Sequence, residues 1–227
     1  MDCEDRIKEC ESILKQIIQY EPDPYYVNYF FNSYLFSINK VYFEIFREAC
    51  REFGLFTSEK YTRDAFLEKA NEKNDQKAVD FVSWFDKKYD KEHENVYPDF
   101  IRKCCKIQNE NRKLSKIKIM IRAKERYEDD PNQEILVGLK NEKLRSMEEL
   151  QIEVKRQMPV FLEIINYKRS EKNEPKINEK HVITSTFLDI EQNGDDIEIV
   201  YASKIYISVM QRLIIDLRKK IIELTKW

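Results

Sequence analysis

From Tyr25 to Phe53 the chain carries apolar side chains at helical spacing without a break: Val27, Phe31, Tyr34, Leu35, Ile38, Val41, Tyr42, Ile45, Phe46 and Ala49. At 3.6 residues per turn this is about eight turns of helix, about 43 Å long. A stripe so broad and aromatic has to be contacted on more than one side, which places this helix at the centre of a bundle. Its ends are marked as well. E-P-D-P at 21–24 stops the preceding pattern, and Gly54 offers the left-handed position that closes a helix. With only three Gly and six Pro in 227 residues, the rest of the chain must also run in long elements with few turns.

The neighbouring periods agree. Ile7, Cys10, Leu14, Ile17 and Ile18 predict a first helix over Asp2 to Tyr20. After a loop at Thr57–Glu59, Phe66, Leu67 and Ala70 mark a short outer helix, and Ala78, Phe81, Val82, Phe85 and Tyr89 a second. Tyr97, Phe100, Ile101, Cys104 and Cys105 form a fifth face that ends near Asn109, with Pro98 acceptable in the first turn.

The period changes at K-I-K-I-M-I-R, residues 116–122, where Ile117, Ile119 and Ile121 alternate with Lys116, Lys118 and Met120 as in a strand. Its expected partner is a hairpin in Val182–Tyr201, turning at Asn193-Gly194, with Ile197, Ile199 and Tyr201 alternating behind the turn. Ser146 and Glu149 form a capping box for a helix with Leu150, Val154, Met158, Phe161 and Ile165 on one face, which Pro159 should kink or split. The polar segment Arg169–Glu179 predicts a mobile loop, and Tyr206, Met210, Leu213, Leu217, Ile221 and Leu224 a closing helix from about Ser203 to Thr225. The fold class is therefore mainly α, a multi-helix bundle with a small β-sheet or hairpin appendage. Residues 1–125 form the bundle, and 126–227 an extension of two helices and a β-hairpin packed on the same core.

Little in the chain points to chemistry. Five cysteines, at 3, 10, 50, 104 and 105, show no C-x-x-C spacing and fit small buried hydrophobes in a reducing compartment. The opening MDCEDRIKEC is acidic and amphipathic rather than a secretory signal, and no run approaches 18 apolar residues, so a cytoplasmic location without membrane contact is expected. His93, in the charged link D-K-E-H-E-N, is expected to be solvated, and His181 likewise. Asp189-x-Glu191-x-Asn193-Gly194 has the alternation of a calcium loop, but the twelfth position is Val200 where a bidentate Glu is required. No phosphate-cradling, zinc or nucleophile motif is found, so no cofactor, metal or catalytic residue is expected.

The strongest electrostatic feature is the segment from Arg102 to Arg126, with ten basic residues against Glu110 and Glu125: Arg102, Lys103, Lys106, Arg112, Lys113, Lys116, Lys118, Arg122, Lys124 and Arg126. If these shared one face they would attract phosphate. Tyr127 is the sole aromatic within or beside the run, which is poor in the stacking platforms of single-strand binders. The five acids of Asp189–Glu198 offer an alternative, internal neutralisation.

Over 1–125 the order of patterns resembles HEPN-like helical proteins: Y-F-F-N-S-Y-L-F opening the second helix, F-V-S-W-F in the fourth, then P-D-F-I-R-K-C-C-K-I-Q-N-E-N-R. The resemblance implies the bundle and its dimerisation. It does not imply the family's ribonuclease activity, which uses an Arg followed after four to six residues by a His. Arg102 stands in the comparable stretch, but Ile107, Gln108 and Asn109 follow it, and the acid/base group is missing. Two readings result: a non-catalytic helical interaction or scaffold protein, with a homodimer seam on the second or terminal helix or with another protein as partner, or an RNA/DNA-binding accessory protein using the basic segment.

Overall fold

The computed structural model describes residues 2–55, 61–124, 137–139, 146–190 and 196–226. The expected loop at Thr57–Glu59 and turn at Asn193-Gly194 lie outside them, as do Glu191, Glu125, Arg126 and Tyr127. The described residues hold seven α-helices and a small antiparallel sheet, so the chain is mainly α with a small sheet appendage. The chain divides into two compact units.

The first unit comprises Met1–Ile18, Tyr29–Leu114 and Val200–Trp227. It contains most of α1 (Cys3–Tyr20) and α2 (Pro24–Glu52), with α3 (Arg63–Glu72), α4 (Gln76–Glu92), α5 (Val96–Asn109) and α7 (Ile199–Thr225). Each short helix starts on a side chain that accepts a backbone N–H: Thr62 from Ala65, Asp75 from Ala78 and Asn95 from Tyr97. At the end of α2, Gly54 adopts φ +62° and Leu55 N–H donates to the Cys50 carbonyl, the backbone reversal only glycine makes without strain. The core is aromatic, with the Phe46 ring 5.0 Å from Phe85 and 5.9 Å from Phe66. Opposite them on α7, Tyr206, Met210, Leu213, Leu217 and Ile221 are buried. The stripes that the sequence marked on α2 and α7 are largely buried in the bundle, while Tyr25, Tyr29 and Phe36 of α2 and Ile215 and Ile222 of α7 are exposed.

The second unit comprises Gln19–Asn28 and Ser115–Ile199. Its sheet runs in the order β2-β1-β3-β4, with β1 (Lys118–Ala123) flanked by β2 (Val137–Gly138) and β3 (Val182–Leu188), and β4 (Ile197–Glu198) outermost. Ile119, Ile121, Ala123 and Val182 on one face of this sheet pack with Leu150, Phe161 and Ile165 of α6 (Met147–Glu171). The Ser146 hydroxyl caps α6 by accepting from Glu149 N–H. Pro159 does not split the helix, which runs unbroken for 25 residues because the packing of both halves on β1 and β3 offsets one lost backbone hydrogen bond.

α7 belongs to the first unit, apart from its first residue, and β1 to the second. Two other expectations are corrected. The alternation Ile197, Ile199, Tyr201 is strand only to Glu198. α7 begins at Ile199, four residues earlier than expected, and buries Ile199, Val200 and Ala202 at helical spacing. The segment after Arg169 is tied down: Asn166 donates to and accepts from the Ile177 backbone, Arg169 Nε donates to the Pro175 carbonyl, and a 3-10 turn follows at Glu179–His181.

Candidate interaction surface

The described part of the basic segment is divided between the two units. Arg102, Lys103, Lys106, Arg112 and Lys113 belong to the first unit, and Lys116, Lys118, Arg122 and Lys124 to the second. Many are already paired. Arg102 and Lys103 share Asp99 on the same helix, at 2.6 and 3.1 Å, and Arg112 contacts Glu110 at 3.2 Å. Lys106, Lys113, Lys116 and Lys124 are exposed and form no ion pair among the described residues.

Within the sheet the internal neutralisation is direct. Strand alternation puts Lys118, Met120 and Arg122 on the face away from α6. Arg122 Nη2 donates to Glu198 Oε1 at 2.7 Å and its Nε to the Ser185 hydroxyl at 3.0 Å. Lys118 reaches Asp196 at 2.7 Å and Asp189 at 3.7 Å, and the Asp196 hydrogen bond holds its ammonium above the ordinary range. Glu198 is 2% exposed, so its ion pair with Arg122 is a buried one. Glu21 joins this unit at the β3 edge, where one carboxylate oxygen accepts from both the N–H and the hydroxyl of Thr186, at 2.6 and 2.7 Å. Burial raises the Glu21 pKa, the Thr186 bonds oppose that rise, and nearby Glu198 adds to it. The candidate calcium ligand Asp189 thus sits against Lys118, and no metal-ligand cluster occurs among the described residues.

The least explained surface is the outer side of α6. Leu150, Phe161 and Ile165 face the sheet, with Val154, Met158 and Leu162 half-buried beside them. On the other side Ile152 is 61% exposed, Val160 52%, Ile164 40% and Tyr167 65%, and Pro159 is also exposed. At about 100° per residue these five positions fall in an arc of about 140°, centred about 160° from the core stripe. α6 therefore carries exposed apolar residues opposite its core stripe, interspersed with charged ones such as Arg156 and Glu163. Single exposed apolar residues are ordinary on protein surfaces, but several gathered on one side of a helix mark a candidate contact surface. The spacing Ile152, Val160, Ile164, Tyr167 was present in the sequence beside the stripe that predicted the core.

The first unit contains a cleft of about 400 Å³ lined by Asp2, Cys3, Glu44, Arg47, Glu48, Cys50, Arg51, Tyr61 and Arg218. Arg218 forks onto Glu48, at 2.7 Å, and onto Glu4. Burial, reinforced by Glu48, pushes the Cys3 thiol up to about 12, and burial alone pushes Cys50 to about 11. Neither offers a thiolate near neutral pH. All five cysteines are buried, as their spacing suggested.

His93 corrects the sequence reading. It caps α4 at 4% exposure, with Nδ1 2.6 Å from the Tyr89 carbonyl, Nε2 3.4 Å from the Tyr206 hydroxyl, and its ring 4.0 Å from that of Tyr89. Burial lowers its pKa. The charged neighbours point outward while the imidazole turns inward, a choice set by α7 rather than by the local sequence. His181 is exposed and bonds locally to Asn178.

At the stretch comparable to the HEPN motif, Gln108 donates to the Asn32 carbonyl at 2.9 Å and Asn109 accepts from Asn39 at 3.1 Å, so both are used within the bundle. No described helix is long and apolar enough to cross a membrane. Comparison with known proteins returned no matching family model, no matching curated protein and no matching solved structure.

Proposed function

We propose that this chain is a non-catalytic helical interaction or scaffold protein that docks its partner on the outer face of α6. The observation that carries this reading is the exposed line Ile152, Val160, Ile164 and Tyr167 on a helix whose opposite side already completes the sheet's core. The HEPN-like pattern of 1–125 fits the same reading as a bundle without the Arg–His pair. A photo-crosslinking residue at Ile164 should give a discrete adduct in cells, lost when Val160→Lys is added and absent when the probe sits at the exposed polar position Gln151. Equal labelling at both positions would remove the reading.

A nucleic-acid-binding function has narrower support, in the four exposed lysines 106, 113, 116 and 124. It requires binding that weakens steeply with salt and drops in Lys116→Glu/Lys124→Glu. Salt-insensitive or absent binding at low salt would eliminate it.

A further inference from the structure

The outer face of α6 has a second property: its pattern is self-complementary when the helix is reversed. Taking the Pro159–Val160 peptide as a centre, Ile152 and Tyr167 each lie about 11 Å along the axis from it, in opposite directions, and Arg156 and Glu163 each about 5 Å. All of these side chains are exposed. Their spacing, Ile152, Arg156, Val160, Glu163, Tyr167, runs in steps of three and four residues, which keeps all five on one side of the helix.

We propose that α6 pairs with α6 of a second copy of this chain, antiparallel, about a two-fold axis beside Pro159 and Val160. This rests on the proposed docking role of that face and names its occupant. A two-fold interface requires one patch to complement itself, and few patches do. Here the reversal sets Ile152 against Tyr167 of the second copy and Arg156 against Glu163 of the second copy, each contact occurring twice. Val160 and Pro159 meet at the axis, with Ile164 flanking them. The charges fit what the structure leaves available. Arg156 uses Nε and Nη2 on Glu153 of its own helix, at 2.8 and 2.6 Å, and its Nη1 makes no hydrogen bond among the described residues. Glu163 forms no ion pair among the described residues. A parallel arrangement would instead stack Arg156 on Arg156 and Glu163 on Glu163, so the two charges select the antiparallel register, as polar groups in a helical seam do.

The test is sedimentation of the full chain and its charge-reversed variants at tens of micromolar. The wild type is expected to be a dimer. Arg156→Glu and Glu163→Arg should each weaken the dimer by about tenfold or more, since each places like charges together twice. Mixing the two variants should restore a dimer containing one copy of each, because every facing pair is then opposite in sign. Circular dichroism shows whether each variant is folded, and Val160→Lys supplies an uncoupled disruption of the same seam. A monomeric wild type, or a mixture that stays monomeric, overturns the pairing. If the Ile164 crosslink then joins a different protein, the docking role of α6 survives and only its occupant changes. If no position-specific adduct forms either, both fail.

Discussion

α7 and α6 are similar in length, 27 and 25 residues, yet they resolve their apolar surface differently. α7 buries Tyr206, Val209, Met210, Leu213, Ile214, Leu217 and Ile221 inside a bundle that surrounds it on several sides. α6 lies on a four-stranded sheet, which can cover only one side of a helix. α7 leaves Ile215 and Ile222 exposed, and α6 leaves Ile152, Val160, Ile164 and Tyr167. The lesson is that an apolar stripe reports how much surface seeks cover, while the number of neighbours decides how much finds it.

The units also bury polar groups by different means. In the first, buried groups are neutral: Tyr34 donates its hydroxyl to the Ser203 carbonyl at 3.0 Å, and His93 sits between tyrosines. The second buries the carboxylates of Asp189 and Glu198 as well as the hydroxyls of Ser185 and Thr186, with Arg122 on Glu198 and the more exposed Lys118 beside Asp189.

The strongest way to break this contrast is Phe46→Ala. It should cost about 3–5 kcal/mol in urea unfolding, because four rings pack on Phe46 and cannot collapse together into the space. In the second unit Arg122→Met should cost about 3 kcal/mol or more by stranding the Glu198 carboxylate, and Arg122→Met/Glu198→Leu should recover most of it. An additive double variant would show that the two side chains are not coupled. A smaller effect concerns pH. His93 is held neutral, with its folded-state pKa below the ordinary 6.5, so the unfolded chain binds the proton more readily. Stability is therefore complete above about 6.5 and is lost as pH falls below it, and His93→Gln should flatten that fall in denaturant midpoints. Glu21 acts in the opposite sense: its folded-state pKa is raised above 4.5, so its contribution is present at lower pH and lost as pH rises through that higher value. The smallest effect is Val160→Lys, within about 0.5 kcal/mol for the monomer because the site is exposed. A large loss there would mean that the face is internal cover rather than a contact surface.

Much of the fold was legible because its elements are long. The stripe from Val27 to Ala49 required α2, Gly54 closed it, and Ser146 opened α6. The candidate surface was less legible, since the same helix carries two stripes and only the one ending at Ile165 reads as core. Nothing around His93 marks it as buried, because Tyr206 lies more than a hundred residues away in the chain. The two-residue β2 gives no period to detect, and the start of α7 at Ile199 follows from burial of Val200 and Ala202, which local alternation cannot register.

By itself, the sequence determined that this chain is mainly helical, that a strand begins after residue 115, and that its cysteines are unpaired, because periodicity, glycine scarcity and spacing are local properties. Tertiary structure decided which core each helix joins, which of the described basic residues are neutralised, and which side of α6 stays open. Those outcomes depend on contacts between residues far apart in the chain, and each is settled by what packs against a side chain rather than by what precedes it.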